Sequence, residues 1–287
     1  MLNRLACGDK KVRALLCEVV GYCFYRRNEL RKAFILIGEK QNGKSTYLKL
    51  INFLLGKDNV TNLDLAELGQ RFKPAELFGK LANIGDDIGD DFIQNPAIFK
   101  KVVSGDPVNV ERKGENPFNL RNYSKFLFSA NNIPRIKDKS GAVISRLVII
   151  PFNARFTPED KDFDPYIIYK VTTENAMEYL INLGLEGLKR VLQSYTFTEN
   201  DSTKAALKEY EENNNPVLLF FKEMEITDVV NKSTRDIFSK YQMFCAENNY
   251  TPMSFGELSK AIKKRYNVEI IDKKVNGQRF RVYAIKG

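Results

Sequence analysis

Apolar positions give the first outline of this chain. Residues 12–25 (VRALLCEVVGYCFY) carry them at roughly helical spacing, which predicts a helix. A charged stretch around Arg26–Lys32 then gives way to AFILIG, a short apolar run closing on Gly38 that predicts a buried strand. Similar runs recur in LANIG (81–85), KFLFSA (125–130) and LVIIPF (147–152), and the amphipathic STYLKLINFLLG (45–56) lies between AFILIG and LANIG. Alternation of this kind up to about residue 152 predicts a parallel α/β sheet. Within that span VNVE and FNLR alternate apolar and polar residues around ERKGENP, the pattern of a β-hairpin with Arg112 and Lys113 at its tip. From Phe156 to Asn213 the pattern turns helical, then ends in the polar run EENNN before Pro216. A domain boundary is expected there.

The last 70 or so residues predict three helices and a hairpin. VLLFFKEMEI is the first helix, STRDIFSKYQMFCAENN the second with Ser233 as N-cap, and SFGELSKAIKKRY the third, with Ser254 and Glu257 in capping-box spacing. VEIIDKKV and QRFRVYAI follow as strands joined by Asn276-Gly277, a strong hairpin signal because both residues tolerate positive φ. That order is the order of a winged helix. The expected plan is thus a helical segment over 1–32, an α/β core with a helical tail over 33–215, and a winged-helix domain over 216–287.

Composition narrows the chemistry. The 287 residues include no histidine, which excludes His general acid/base catalysis, Ser-His and Cys-His nucleophile pairs and His-ligated zinc. Carboxylates, Lys, Arg, hydroxyls or an oxygen-ligated metal must carry any reaction. The four cysteines form no CxxC pair and are expected as buried free thiols in a reducing cytosol. No apolar run reaches membrane-spanning length and the N-terminus lacks a signal-peptide core, so a cytoplasmic protein with no membrane partner is expected.

One motif is complete. Residues 38–45, GEKQNGKS, fit GxxxxGK[ST] between a predicted strand and a predicted helix, the context of a phosphate-binding P-loop. Gly38 and Gly43 let the backbone curl, and Glu39, Lys40, Gln41 and Asn42 line the curl with N–H groups. Lys44 would neutralise the β and γ phosphates, the Ser45 hydroxyl would ligate Mg²⁺, and Thr46 continues the loop into the helix. LANIGDD adds a strand ending in two carboxylates: Asp86 to hold the metal, Asp87 to orient and deprotonate the attacking water. A second pair, Asp90-Asp91, follows no apolar strand and reads as a solvated loop. KFLFSANN ends another strand in amides, a pattern that fits either a contact to the γ-phosphate or its attacking water, or an ordinary turn before Pro134. In GAVISRLVIIPF, Arg146 precedes an apolar strand and could reach a phosphate in a neighbouring subunit; Arg135 is a second arginine of that type.

The succession GxxxxGKS, apolar-DD, basic hairpin, apolar-xxN, SR-apolar resembles superfamily 3 helicases, above all the ATPase part of phage, plasmid and poxvirus-type primase-helicases. NGKST, SGDPVNVERKGENPF, FSANNIPRI and SRLVIIPF carry the resemblance, over about residues 33–152. The resemblance implies an AAA+-like hexameric ring with ATP and Mg²⁺ between subunits and single-stranded DNA in the pore, moving 3′ to 5′. It implies Walker A roles for Lys44 and Ser45, Walker B roles for Asp86 and Asp87, a sensor role for Asn131 and a trans-acting arginine finger in Arg146. It also implies a pore-lining lysine on the hairpin, single-stranded and forked DNA as partners, a primase domain or protein as a further one, and an oligomerisation collar in the first 30 residues. Asp87 departs from the glutamate many ATPases place there.

Charge placement agrees with a polyanionic partner. Lys and Arg number 45 against 36 Asp and Glu, a net +9. Residues 100–146 hold ten basic and four acidic residues and residues 254–287 nine and three, so each segment carries +6 and together they exceed the whole. DNA-contact candidates are Arg112 and Lys113 on the first hairpin, Lys260, Lys263, Lys264 and Arg265 on the third helix, and Lys273, Lys274, Arg279 and Arg281 on the wing. A replication initiator or helicase loader, using ATP without processive unwinding, is the alternative to a helicase.

Overall fold

A computed structural model describes the chain except residues 90–92, 94, 137–140, 162, 249, 276, 277 and 287. Contacts divide it into two compact units, Met1–Lys208 and Glu209–Gly287.

The first unit opens with α1 (Leu2–Leu5) and α2 (Lys10–Cys23). The second of these begins two residues before the periodicity predicts because the Asp9 carboxylate caps it, accepting from Lys11 N at 2.7 Å and Val12 N at 3.2 Å. Cys7, between the two helices, is exposed, against the expectation of a buried thiol; Cys17, Cys23 and Cys245 are buried as free thiols. The chain continues through β1 (Ala33–Ile37), α3 (Lys44–Leu55), β2 (Val60–Thr61), β3 (Ala82–Gly85) and α4 (Ala97–Ser104). Next come β4 (Pro107–Val110), β5 (Phe118–Arg121), β6 (Lys125–Ala130) and β7 (Leu147–Pro151), then the helices α5 (Ile167–Val171), α6 (Glu174–Ser194) and α7 (Asp201–Asn213).

Five strands form one sheet in the order β2-β3-β6-β1-β7, and every pairing in it is parallel. This is the α/β sheet the alternation predicts. The residues Ala33–Leu36 and all of β3 and β6 are buried, as expected for strands covered on both faces. Strand β6 lies between β1 and β3, so the C-terminal ends of these three strands come side by side.

Helices α2 and α6 meet backbone to backbone. A Cβ on Gly21 would stand 1.9 Å from Gly184 O, and one on Gly187 would stand 2.9 Å from Glu18 Cα. Beside this crossing the buried Glu18 carboxylate accepts from Thr198 N at 2.7 Å and Thr198 Oγ1 at 2.6 Å, with Arg190 Nε at 3.5 Å. Its charge is therefore paired rather than stranded.

The second unit comprises α8 (Pro216–Lys222), α9 (Thr234–Glu247), α10 (Phe255–Tyr266), β8 (Val268–Val275) and β9 (Gln278–Ile285). Phe220, Phe221, Tyr241, Ile262, Val268 and Tyr283 fill its core. The Ser233 cap and the reciprocal Ser254–Glu257 capping box are both formed. Strands β8 and β9 pair antiparallel from Val268↔Ile285 to Val275↔Gln278, while their predicted Asn276-Gly277 turn lies outside the described residues. Among the described residues no helix is long and apolar enough to cross a membrane.

Candidate functional site

The glycine-rich turn between β1 and α3 is built from constraints that leave little choice of residue. Gly38 sits at φ 150°, Gln41 at 61° and Gly43 at 86°. A Cβ on Gly38 would fall 2.2 Å from Asn42 Nδ2 and 2.6 Å from Phe152 O, so a side chain is excluded there. Asn42 is buried and its amide donates to Phe152 O at 3.0 Å, while Phe156 N donates to Gln41 O at 2.9 Å. These two bonds tie the turn to the segment leaving β7. Glu39, Lys40 and Gln41 are exposed on the turn and Thr46 is half-buried. Gly43 offers α3 no side-chain cap, so the first N–H groups of the helix remain suited to an anion.

Lys44, the first residue of α3, is buried and its Nζ donates to Gly38 O at 2.5 Å, Glu39 O at 3.0 Å and Asn42 Oδ1 at 3.3 Å. Burial lowers the pKa of its ammonium below the usual lysine range, and the nearby Asp87 and Asp86 pull it back up. The two carboxylates follow β3 directly and are exposed. Ser45 Oγ donates to Asp86 Oδ1 at 3.1 Å, and Asn131 Nδ2 donates to Asp87 Oδ1 at 3.4 Å. The sheet order explains this convergence. Strand β6 delivers Asn131 between the strand that carries the turn and the strand that carries the acids.

Sequence reasoning missed Ser129. Its hydroxyl donates to Asp86 Oδ1 at 2.5 Å and accepts from Asp87 N at 2.8 Å. The period of two was an available signal, since Ser129 stands two residues before Asn131 at the end of β6. Asp87 itself lies at φ 57°, a left-handed conformation that aspartate and asparagine adopt more readily than most non-glycine residues.

Arg146 is not brought to this cluster. It immediately precedes β7, whose first residue pairs with Ala33 at the start of β1, so it stands at the opposite end of the sheet from Gly38. Its guanidinium donates to Ser104 Oγ at 2.9 and 3.1 Å and to Ala142 O at 2.5 Å. Lys32, another residue the sequence reading passed over, donates to Ser145 O at 2.6 Å beside it. Arg135 follows Pro134, and its carbonyl accepts from Ile93 N at 2.8 Å. The pair Asp90-Asp91 lies outside the described residues.

The β4–β5 hairpin has the predicted antiparallel register, Pro107↔Arg121 to Val110↔Phe118. Arg112 is committed to its own neighbourhood. Its guanidinium lies 5.2 Å from the Phe118 ring centroid, 5.4 Å from that of Phe78 and 3.4 Å from Glu115. Phe78 comes from more than thirty residues upstream, a contact no local pattern reveals. Lys113 is exposed in the turn and forms no ion pair among the described residues. In the second unit Lys260, Lys263, Lys264 and Arg265 are exposed along α10, and Lys273, Lys274, Arg279 and Arg281 are exposed on the hairpin. Lys274 pairs directly with Arg279 across the strands, and Lys273 Nζ donates to Asn231 Oδ1 at 3.2 Å. Two like charges facing each other in a sheet are unfavourable unless an anion compensates them.

Comparison with known proteins covers the same residues. Residues 36–146 match a family described as a family of unknown function, DUF5906; the match begins in β1 and ends on Arg146. The chain is 23% identical over 309 aligned residues to a protein of Invertebrate iridescent virus 3 provisionally designated helicase 121R, covering 94% of this chain and 32% of that one. It is 27% identical over 134 residues to a protein of Invertebrate iridescent virus 6 provisionally designated helicase 184R, covering 42% and 14%. The chain thus spans about a third or less of the length of these curated relatives. Among solved structures, the A-form apo structure of the NrS-1 C-terminal region is similar with a TM-score of 0.59 at 16% identity, covering 99% of this chain and 74% of that one. The likeness is one of fold, and it extends over nearly the whole chain.

Proposed function

We propose that this chain is the motor part of an ATP-dependent DNA helicase, a P-loop ATPase of the AAA+-like superfamily 3 type that works as a ring. The observation that carries the reading is the meeting of Lys44, Ser45, Asp86, Asp87 and Asn131 at the C-terminal ends of three adjacent parallel strands. Ligand sites of parallel α/β sheets lie at that end. The designations of the two iridescent virus proteins support the same reading.

Ser45 Oγ and Asp86 Oδ1 are the oxygens that would hold Mg²⁺. Both are oxygen donors of the kind Mg²⁺ takes, and they stand together, 3.1 Å apart, where β3 ends and α3 begins. Bound there, the metal supplies charge neutralisation to the triphosphate. The chain's own groups do the rest. The turn's N–H groups and Lys44 hold the β and γ phosphates, exchanging the lysine's present carbonyl partners for phosphate oxygens. Asp87 accepts the proton of the attacking water, and Asn131 orients that water against the γ-phosphate. Arg146 serves the site of a neighbouring subunit, since within its own chain it faces the other end of the sheet. Lys113 on the β4–β5 hairpin grips the DNA backbone, and α10 with the β8–β9 hairpin forms a winged helix that adds further phosphate contacts.

The test is strand displacement on a forked duplex beside ATP hydrolysis, wild type against Lys113→Ala. The expected result is hydrolysis within about threefold of wild type and unwinding lost. Hydrolysis by the wild type with no strand displacement would favour the loader or initiator reading. Folded protein that takes up no ATP with Mg²⁺ would end both.

A further inference from the structure

Between the metal-binding carboxylate and the base carboxylate lies a hydroxyl that touches both of their residues. Ser129 is fully buried in β6, one strand over from the acids, and its two hydrogen bonds run in a fixed sense: from Asp87 N to Ser129 Oγ, and from Ser129 Oγ to Asp86 Oδ1. A hydroxyl has one proton to give. Once that proton is committed to Asp86, its lone pair meets the Asp87 amide without rotational choice. Asp87 is left-handed at φ 57°, a region aspartate tolerates better than most non-glycine residues, and the bond from its N to Ser129 Oγ holds it there. The next residue is fastened to the same strand, since Ile88 N donates to Ser129 O at 2.9 Å. Three consecutive acid-turn residues, 86 to 88, are thus bonded to one serine.

We propose that Ser129 is a positioning residue for ATP hydrolysis. It fixes the rotamer of Asp86 toward Ser45, and it fixes the left-handed turn that aims Asp87 past Asn131 at the attacking water. This rests on the ATPase reading above and deepens it. Ser129 touches neither nucleotide nor metal. It acts through the two carboxylates, so its loss alters turnover and metal demand more than nucleotide affinity. Because Asn131 directly follows β6, the strand that holds Ser129, a small movement of that strand reaches the sensing amide and the acid turn together.

The experiment compares Ser129→Thr with Ser129→Val, which share a shape and differ in the hydroxyl. Protein stability, analogue binding and steady-state turnover over a Mg²⁺ titration are measured on both and on wild type. In Ser129→Val, kcat is expected to fall about tenfold or more, as a misplacement near the reacting groups does. The Mg²⁺ concentration for half-maximal turnover rises, and the KM for ATP changes by less than about threefold. Ser129→Thr restores most of kcat. Equal kcat and equal Mg²⁺ demand in the two variants, with both folded and binding analogue, overturn the proposal while the ATPase reading stands. A wild type that hydrolyses no ATP brings down that reading and this inference with it.

Discussion

The two ends of the parallel sheet carry similar charges and use them differently. At the C-terminal end, Lys44 shares its surroundings with two exposed carboxylates that face donors from the start of α3 and from the end of β6. At the N-terminal end, Lys32, Lys125 and Arg146 precede or begin β1, β6 and β7, and each donates to main-chain carbonyls. Lys32 reaches Ser145 O at 2.6 Å, Lys125 reaches Arg27 O at 2.8 Å and Tyr123 O at 2.7 Å, and Arg146 reaches Ala142 O at 2.5 Å. Lys125 is buried, lies 4.3 Å from the Tyr22 ring centroid and also bonds Asn28 Oδ1. Basic residues are therefore no marker of a site by themselves. Lys44 too donates to main-chain carbonyls, of Gly38 and Glu39; what sets it apart is the pair of aspartates nearby and its place in the first turn of α3. Arg146 is the intermediate case: of the five donors of a guanidinium, Nε, Nη1 and Nη2 each commit one to Ser104 or Ala142. The group is held rigid with donors left to offer.

The sharpest way to break this contrast is Lys44→Ala. ATP turnover is expected to fall on the order of 100-fold or more, as when a donor to developing charge is removed. Thermal stability should change little, because relief of the ammonium's unfavourable burial offsets the loss of its bonds to Gly38 O, Glu39 O and Asn42 Oδ1. A turnover assay beside a melting curve checks both. Next is the mixture of Arg146→Ala with Lys44→Ala. Each protein alone is expected to be inactive, and mixed assemblies to recover a fraction of wild-type hydrolysis, because some interfaces then join an intact Lys44 to an intact Arg146. Absence of recovery at every ratio, with mixed assembly confirmed by mass, would place the arginine with Lys32 and Lys125.

The smallest effect belongs to Lys125. Burial lowers its pKa to about 7, against the ordinary lysine value near 10 in the unfolded chain. Between those values the unfolded chain binds the extra proton, so the contribution of Lys125 to stability rises from about pH 7 to about pH 10. Lys125→Met should flatten that part of the stability-pH curve, as read from denaturant midpoints. A slope unchanged in the variant would show that the group keeps its proton in the fold throughout.

Elements with a local cause were legible in the sequence. The strand-turn-helix around Gly38–Ser45 follows from where glycine is tolerated, and the start of α10 follows from the Ser254–Glu257 box. The hairpins followed from period-two alternation. Strand β2 escaped because Val60–Thr61 is too short to show any period. Helix α8 stops at Lys222, before the end of the apolar run that suggested it. In the site, Lys44, the two aspartates and Asn131 were readable as motifs at strand ends. The Ser129 bridge and the capture of Arg112 by Phe78 depend on which strands and loops become neighbours, and spacing along the chain holds no record of that.

The glycine crossing of α2 and α6 has a mechanical consequence. Where side chains separate two helices, a push on one is partly absorbed as rotamers shift. At Gly21, Gly184 and Gly187 main chain lies against main chain, so that cushion is missing. Displacement applied to the amino-terminal helix passes to α6 almost undiminished, as through two bars welded at a point.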